Sequence, residues 1–303
     1  MGAKRFIKKL LFLNANDDIS VITIMKRWNI RFGHYLYKKK YCTEDIMAVL
    51  RSMGVGRGSN IFIHSSWDSF YNYTGNEKEL LDALISLIGE EGTIAMPSFP
   101  VEREGKIFDV RRTMTRAGML NELFRRYPGV KRSISVRNPV CALGPLADFV
   151  TNDHLNALVC WDEHSPYYKI CEKNFTVVKL GLPKYFIGSF QYCSKAIMRH
   201  DIPYFAQFYD ENSYDINHYI DWDGKEKTYK SIVERPIYYR ESYLWVGHII
   251  RKYIPKDKYL FKRLSGLNIS CIDCNFIHKK FCELAKQNIF FYSIPIVKKS
   301  QML

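Results

Sequence analysis

No apolar run in the 303-residue sequence reaches the roughly 18 residues that a membrane-spanning helix requires, so no transmembrane span is expected. The opening, MGAKRFIKKLLFLNANDD, is basic, but its apolar core LLFL is too short for a signal peptide. A cysteine framework is also lacking. The eight thiols at 42, 141, 160, 171, 193, 271, 274 and 282 are scattered along a long chain, which points to reduced thiols in a cytoplasm. There is no internal repeat and no low-complexity linker. No nucleic-acid-binding motif accompanies the basic residues, so nucleic acid is not expected as a partner.

What is present is ordinary in bulk, with 47% apolar and 25% charged residues, except that aromatics reach 15% and the net charge is +14. Residues 1–40 hold ten Lys or Arg against two Asp. This basic extension reads as a solvated helix or arm packed on the domain, the commoner arrangement, or as a peripheral contact with an anionic membrane. Residues 41–303 read as one domain with an insert at 208–260.

From 41 onward, helical and strand patterns alternate. YCTEDIMAVLRSMG predicts a helix capped by Thr43, with Ile46, Val49, Leu50 and Met53 on one face. NIFIH is a buried strand, NEKELLDALISLIG a second amphipathic helix and GTIAMPSF the next strand. TRAGMLNELFRRYPG predicts a third helix capped by Thr115, and PVCALGPLADFV, NFTVVKLGL and NISCIDCNFIHKKFCELAKQ continue the series. The expected fold is therefore α/β, with a mainly parallel central sheet. The stretch after 207, polar and aromatic with turn signals, predicts hairpins and loops. Its Tyr214, His218, Tyr219, Trp222 and Tyr229 suit the floor of a site or a dimer contact, and spacing favours neither.

Two constellations invite chemistry. Cys271, Cys274, His278 and Cys282 have a zinc-like spacing, but the last three share one helix face with Phe281 and Leu284 close by, so core packing is expected and no metal. His64, Ser65 and Ser66 end a strand. Neither serine is flanked by glycine, so a nucleophile elbow is not expected. A ligand cradle fits better, because Ser98 ends the neighbouring strand in the same manner, TRAG opens a helix and Arg132-Ser133 add a guanidinium and a hydroxyl.

The blocks VGRGSNIFIHSSW, LIGEEGTIAMPSF, FDVRRTMTRAGMLNELFRRYPGVKRS and VCALGPLADF, followed in order by HSPYYKI, VVKLGL and DIPYF, resemble the aminoglycoside 3-N-acetyltransferase family over 41–207. The resemblance implies a three-layer α/β/α fold and acetyl-CoA-dependent transfer to a sugar amine. It also implies that His64, Ser65, Ser66, Ser98, Thr115, Arg132 and Ser133 line the pantetheine and phosphates of CoA. Two departures stand out. SISVRNP replaces the family's histidine-proline pair, and FQYCSKAIMRHDIPY lacks its threonine, histidine and glutamate in register.

An attacking amine still has to lose a proton, a task for a histidine near neutral pH. His200, with Asp201 to orient it, is the first candidate, and His164 after Glu163 the second. Cys193 and Ser194 sit nearest the missing position and are candidates for the acetyl carbonyl or a covalent intermediate. The net charge of +14 argues against polycationic aminoglycosides and for two anionic ligands, CoA and a nucleotide-linked amino sugar of cell-surface polysaccharide synthesis. An aminoglycoside acceptor, a catalytically silent CoA-binding or scaffold relative, and a membrane-surface adaptor using residues 1–40 are the alternatives. Oligomeric state is left open.

Overall fold

The computed structural model describes residues 21–101, 107–235 and 243–290. The RFIKKLLFL stretch lies outside them. Helix α1 (Val21–Leu36) precedes α2 (Thr43–Arg51), β1 (Asn60–Ser65), α3 (Glu77–Ile88) and β2 (Thr93–Pro97). A short β3 (Phe108–Asp109), α4 (Met119–Arg125), β4 (Lys131–Arg132), β5 (Val140–Leu143), α5 (Ala147–Thr151), α6 (Pro166–Glu172) and β6 (Phe175–Leu180) follow. The chain continues through α7 (Gln191–Ile197), α8 (Pro203–Ala206), β7 (Tyr209–Ile220), β8 (Glu226–Glu234), α9 (Tyr243–Tyr253), β9 (Tyr259–Leu264), β10 (Leu267–Asp273) and α10 (Cys274–Lys286).

Seven strands form the main sheet in the order β4-β5-β2-β1-β6-β10-β9. Only the central pairs β1–β2 and β1–β6 are parallel; the four outer pairings are antiparallel. The expectation of a mainly parallel sheet is corrected accordingly. A strand buried on both faces has the same unbroken apolar run whichever way its neighbour points. In β1, Ile61 and Ile63 enter one core with Leu50, Leu80, Leu84 and Phe124, while Phe62 enters the other with Tyr167, Ile249 and Phe281. Residues of α2, α3 and α4 join the first of these cores and residues of α6, α9 and α10 the second.

The polar-aromatic stretch after 207 forms the hairpin β7–β8, extended by β3 pairing parallel to β7. Two caps differ from expectation. Cys42, not Thr43, occupies the N-cap of α2, where Asp45 accepts its N–H at 2.8 Å. Helix α4 starts at Met119 after Gly118, so Thr115 caps nothing; its hydroxyl donates to the Phe99 carbonyl at 2.9 Å.

Candidate functional site

The carboxyl ends of β1, β2 and β6 gather the residues of interest, because parallel strands deliver their ends to one edge of the sheet. His64 lies in register with Lys179 of β6. Its ring packs edge-on against Phe62, Phe186 and Phe190, with centroids 5.0, 6.1 and 6.2 Å away. Burial, reinforced by the Lys179 charge, pushes the imidazole down to about 3, so it is neutral. Its Nε2 is buried without a hydrogen-bond partner. The covering group is Gly188, at φ +81°, where a Cβ would stand 2.6 Å from that nitrogen. Gly188 belongs to a strap, residues 182–189, held down from beneath. Lys179 Nζ donates to the Phe186 carbonyl and, at 2.8 Å, to the Tyr259 hydroxyl, which itself donates to the Lys184 carbonyl. Burial lowers Lys179 to about 7.

Ser65 and Ser66 are half-buried at the strand end. The remaining cradle residues are differently placed. Ser98 is 0%, Ser133 1% and Arg132 3% exposed. Arg132 donates to the carbonyls of Ser98 at 2.9 Å, Thr113 at 2.6 Å and Val110 at 3.3 Å, and its guanidinium stacks 4.9 Å from the Phe108 ring. Ser133 Oγ accepts the Val140 N–H and meets His154 Nδ1 at 2.8 Å. Ser98, Thr115, Arg132 and Ser133 do come together at the strand ends. They do so as a buried polar seam whose hydrogen bonds run mainly to backbone groups, with Ser98 Oγ and Arg132 Nε left without a hydrogen-bond partner.

The expected bases separate clearly. His200 is exposed, and its nearest carboxylate is Glu211 at 3.9 Å, not Asp201; Arg199 holds that same Glu211 at 3.1 Å. Cys193 is fully buried, and burial drives its thiol well above the ordinary range, unsuited to nucleophilic attack. Ser194 is buried, and its hydroxyl donates to the Gln191 carbonyl at 3.1 Å. His164 differs. Its side chain is 40% exposed, and its Nδ1 lies 3.0 Å from Asp153 Oδ2. Burial alone would raise the Asp153 carboxyl, but hydrogen bonds from Asn156, His164 and Lys169 outweigh it and hold it at about 2. The orienting carboxylate is thus Asp153, not the adjacent Glu163.

Sequence reasoning missed both Asp153 and His154. The signal available was the polar pair Asp153-His154 at the end of an otherwise apolar helix. His154 is buried at 2% exposure, and its ring is pushed down to about 3. It lines a cavity of about 10 Å³ with Ser135, Asn138, Cys160 and Tyr229. There the hairpin meets the strand ends: Tyr229 accepts the Val136 N–H at 3.0 Å and Asp215 pairs with Arg137. Tyr214 and Trp222 point outward, at 51% and 45% exposure.

The zinc-like spacing does not converge. Cys271 lies in the core on one side of the sheet and Cys274 in the other, 3.4 Å from the Cys171 sulfur. Among the described residues no cluster of His, Cys, Asp or Glu is arranged to hold a metal. No described helix is long and apolar enough to cross a membrane.

Similarity to known proteins runs through this region. The chain is 31% identical over 166 residues to the SPbeta prophage-derived aminoglycoside N(3')-acetyltransferase-like protein YokD of Bacillus subtilis (strain 168), covering 47% of this chain and 59% of that one. It is 29% identical over 142 residues to aminoglycoside N(3)-acetyltransferase IV of Salmonella sp, covering 46% and 52%. It therefore spans little more than half the length of these curated relatives. The fold resembles that of AAC-IIIb in its binary complex with CoASH, with a TM-score of 0.65 at 18% identity over 83% of this chain and 98% of that one. The family model for aminoglycoside 3-N-acetyltransferase matches residues 62–227, from the strand that carries His64 into the β7–β8 hairpin. With more than half of its length matched, and the match spanning the strand ends, the seam and His164 alike, the chain belongs to the aminoglycoside 3-N-acetyltransferase family.

Proposed function

We propose that the protein is an acetyl-CoA-dependent N-acetyltransferase acting on an amine of an aminoglycoside-type amino sugar. The observation that carries this reading is the family match over 62–227, which includes every strand end described above. The nucleotide-linked amino sugar expected from net charge gives way to it. Residues 41–290 hold 33 Lys and Arg against 29 Asp and Glu, so most of the excess of +14 lies outside that span and repels a polycation less than the total suggests.

Bound acetyl-CoA supplies an activated thioester. Ser65 and Ser66, half-buried at the end of β1, hold its pantetheine arm, and the orphaned Nε2 of His64 is an atom that such a ligand satisfies. The acceptor amine forms the new C–N bond as the C–S bond breaks and CoA departs as the thiolate, which takes up the proton removed from the amine. His164 Nε2, left free because Asp153 engages Nδ1, takes the amine proton. Glu163 beside it offers a carboxylate to a second ammonium of the acceptor.

A second reading, a relative that binds CoA without turnover, is favoured by the strap over His64 and by the burial of Cys193 and Ser194. One assay separates the two: thiol release from acetyl-CoA with kanamycin, gentamicin or a uridine-diphosphate amino sugar, alongside calorimetric titration of CoA. Turnover with an aminoglycoside alone supports the main reading. Saturable CoA binding without turnover selects the second, and absence of both refutes each.

A further inference from the structure

Helix α1 has one face spent and one free. On the spent face, Gly33 lies so close to Tyr71 that a Cβ would stand 2.2 Å from the ring. Tyr37 stacks on the same ring with centroids 5.6 Å apart, and the Asn72 side-chain amide donates to the His34 carbonyl at 3.2 Å and to the Tyr37 carbonyl. These contacts fix the helix on the 67–73 segment. On the free face, Trp28, Phe32, Tyr35 and Leu36 are 58, 61, 70 and 54% exposed. Spaced by four, seven and eight residues, they form one stripe about 100° wide. Four large apolar side chains in a row on an already anchored helix are not the scattered exposure of an ordinary surface.

Charge selects the occupant. Exposed Arg31 borders the stripe, exposed Lys38, Lys39 and Lys40 follow it, and residues 1–40 together hold ten Lys or Arg against two Asp. A second copy meeting the stripe face to face would oppose two such arms. An anionic lipid surface neutralises them while taking up the rings, and Trp and Tyr favour the headgroup level. We propose that α1 docks the protein flat on an anionic bilayer, with Trp28, Phe32, Tyr35 and Leu36 inserted and the basic residues on the lipid phosphates. Because the 67–73 segment that carries α1 directly follows Ser65 and Ser66, docking brings the strand end close to the membrane plane.

The test uses the full chain and needs no substrate. Sedimentation is measured with vesicles of phosphatidylcholine alone and with about 30% phosphatidylglycerol, for the wild type, W28S/F32S and K38Q/K39Q/K40Q. The substituted side chains face solvent, so circular dichroism and urea midpoints should be unchanged. The expected result is binding to the anionic vesicles only, weakened by salt, with the partition coefficient at least about tenfold lower in W28S/F32S and several-fold lower in K38Q/K39Q/K40Q. Failure of the wild type to bind anionic vesicles overturns the proposal, as does undiminished binding by W28S/F32S. A wild-type dimer in sedimentation velocity that W28S/F32S makes monomeric assigns the stripe to a second copy and overturns it equally.

Discussion

His164 is the one candidate base whose ring is both open to solvent and oriented by a carboxylate, Asp153, at 3.0 Å. His164→Asn should therefore lower kcat about 100-fold or more at an unchanged KM, and Asp153→Asn about tenfold, in the thiol-release assay. Asp201→Asn should leave turnover unaltered, because Asp201 does not orient His200. At the strand end, Gly188 combines a left-handed φ of +81° with direct contact on His64. Gly188→Ala should cost on the order of 1–3 kcal/mol in urea unfolding, and His64→Ala in the same chain should recover the part due to the clash. These residues were unequally legible. His64, Ser65 and Ser66 could be read because they end an apolar run. The Asp153–His164 pair could not, since eleven positions separate the partners and only the packing of α5 beside α6 joins them.

Among the elements, helices with a clean apolar stripe, α2 and α3, follow directly from their sequences, as does the buried strand β1. Helix α9 was expected to be loop. Its Val246, Ile249 and Ile250 do recur at helical spacing, but Gly247 and the aromatics around it blur the pattern. Sheet direction is a different failure: periodicity says how a strand is buried, not which way its neighbour runs. For α1, attachment depends on the absence of a side chain at Gly33. Gly33→Leu should push Tyr71 aside and break its stack with Tyr37. Hydrogen exchange in α1 should then accelerate at least about tenfold, while β1 and β6 exchange as before.

Across the whole molecule, the buried titratable groups set the response to pH. His64 and His154 titrate at about 3 in the folded protein, against an ordinary value near 6.5. Between these values the unfolded chain binds up to two more protons than the folded one, so stability is full above pH 6.5 and falls with pH at up to about 1.4 kcal/mol per unit per histidine. Glu122 adds to the loss. Burial would raise its carboxyl, yet hydrogen bonds from Arg125, the Thr115 amide and Arg126 hold it at about 2, so its contribution disappears as pH falls from about 4.5 to 2. Lys179 at about 7 works at the other end, where stability rises with pH from about 7 towards 10.5 as the folded protein sheds a charge that the unfolded chain keeps. Urea midpoints at pH 4.5, 6.5 and 8.5 should increase in that order.

The strap over His64 is moored at two points, through Lys179 to β6, the neighbour of β1, and through the Tyr259 hydroxyl to β9, the outermost strand of the main sheet. An edge strand is where a sheet frays first. One of the two moorings over the end of the central strand β1 therefore sits three strands away, at the sheet's margin. Fraying of that margin loosens one mooring of the cover over the His64 imidazole, while Lys179 of β6 keeps the other.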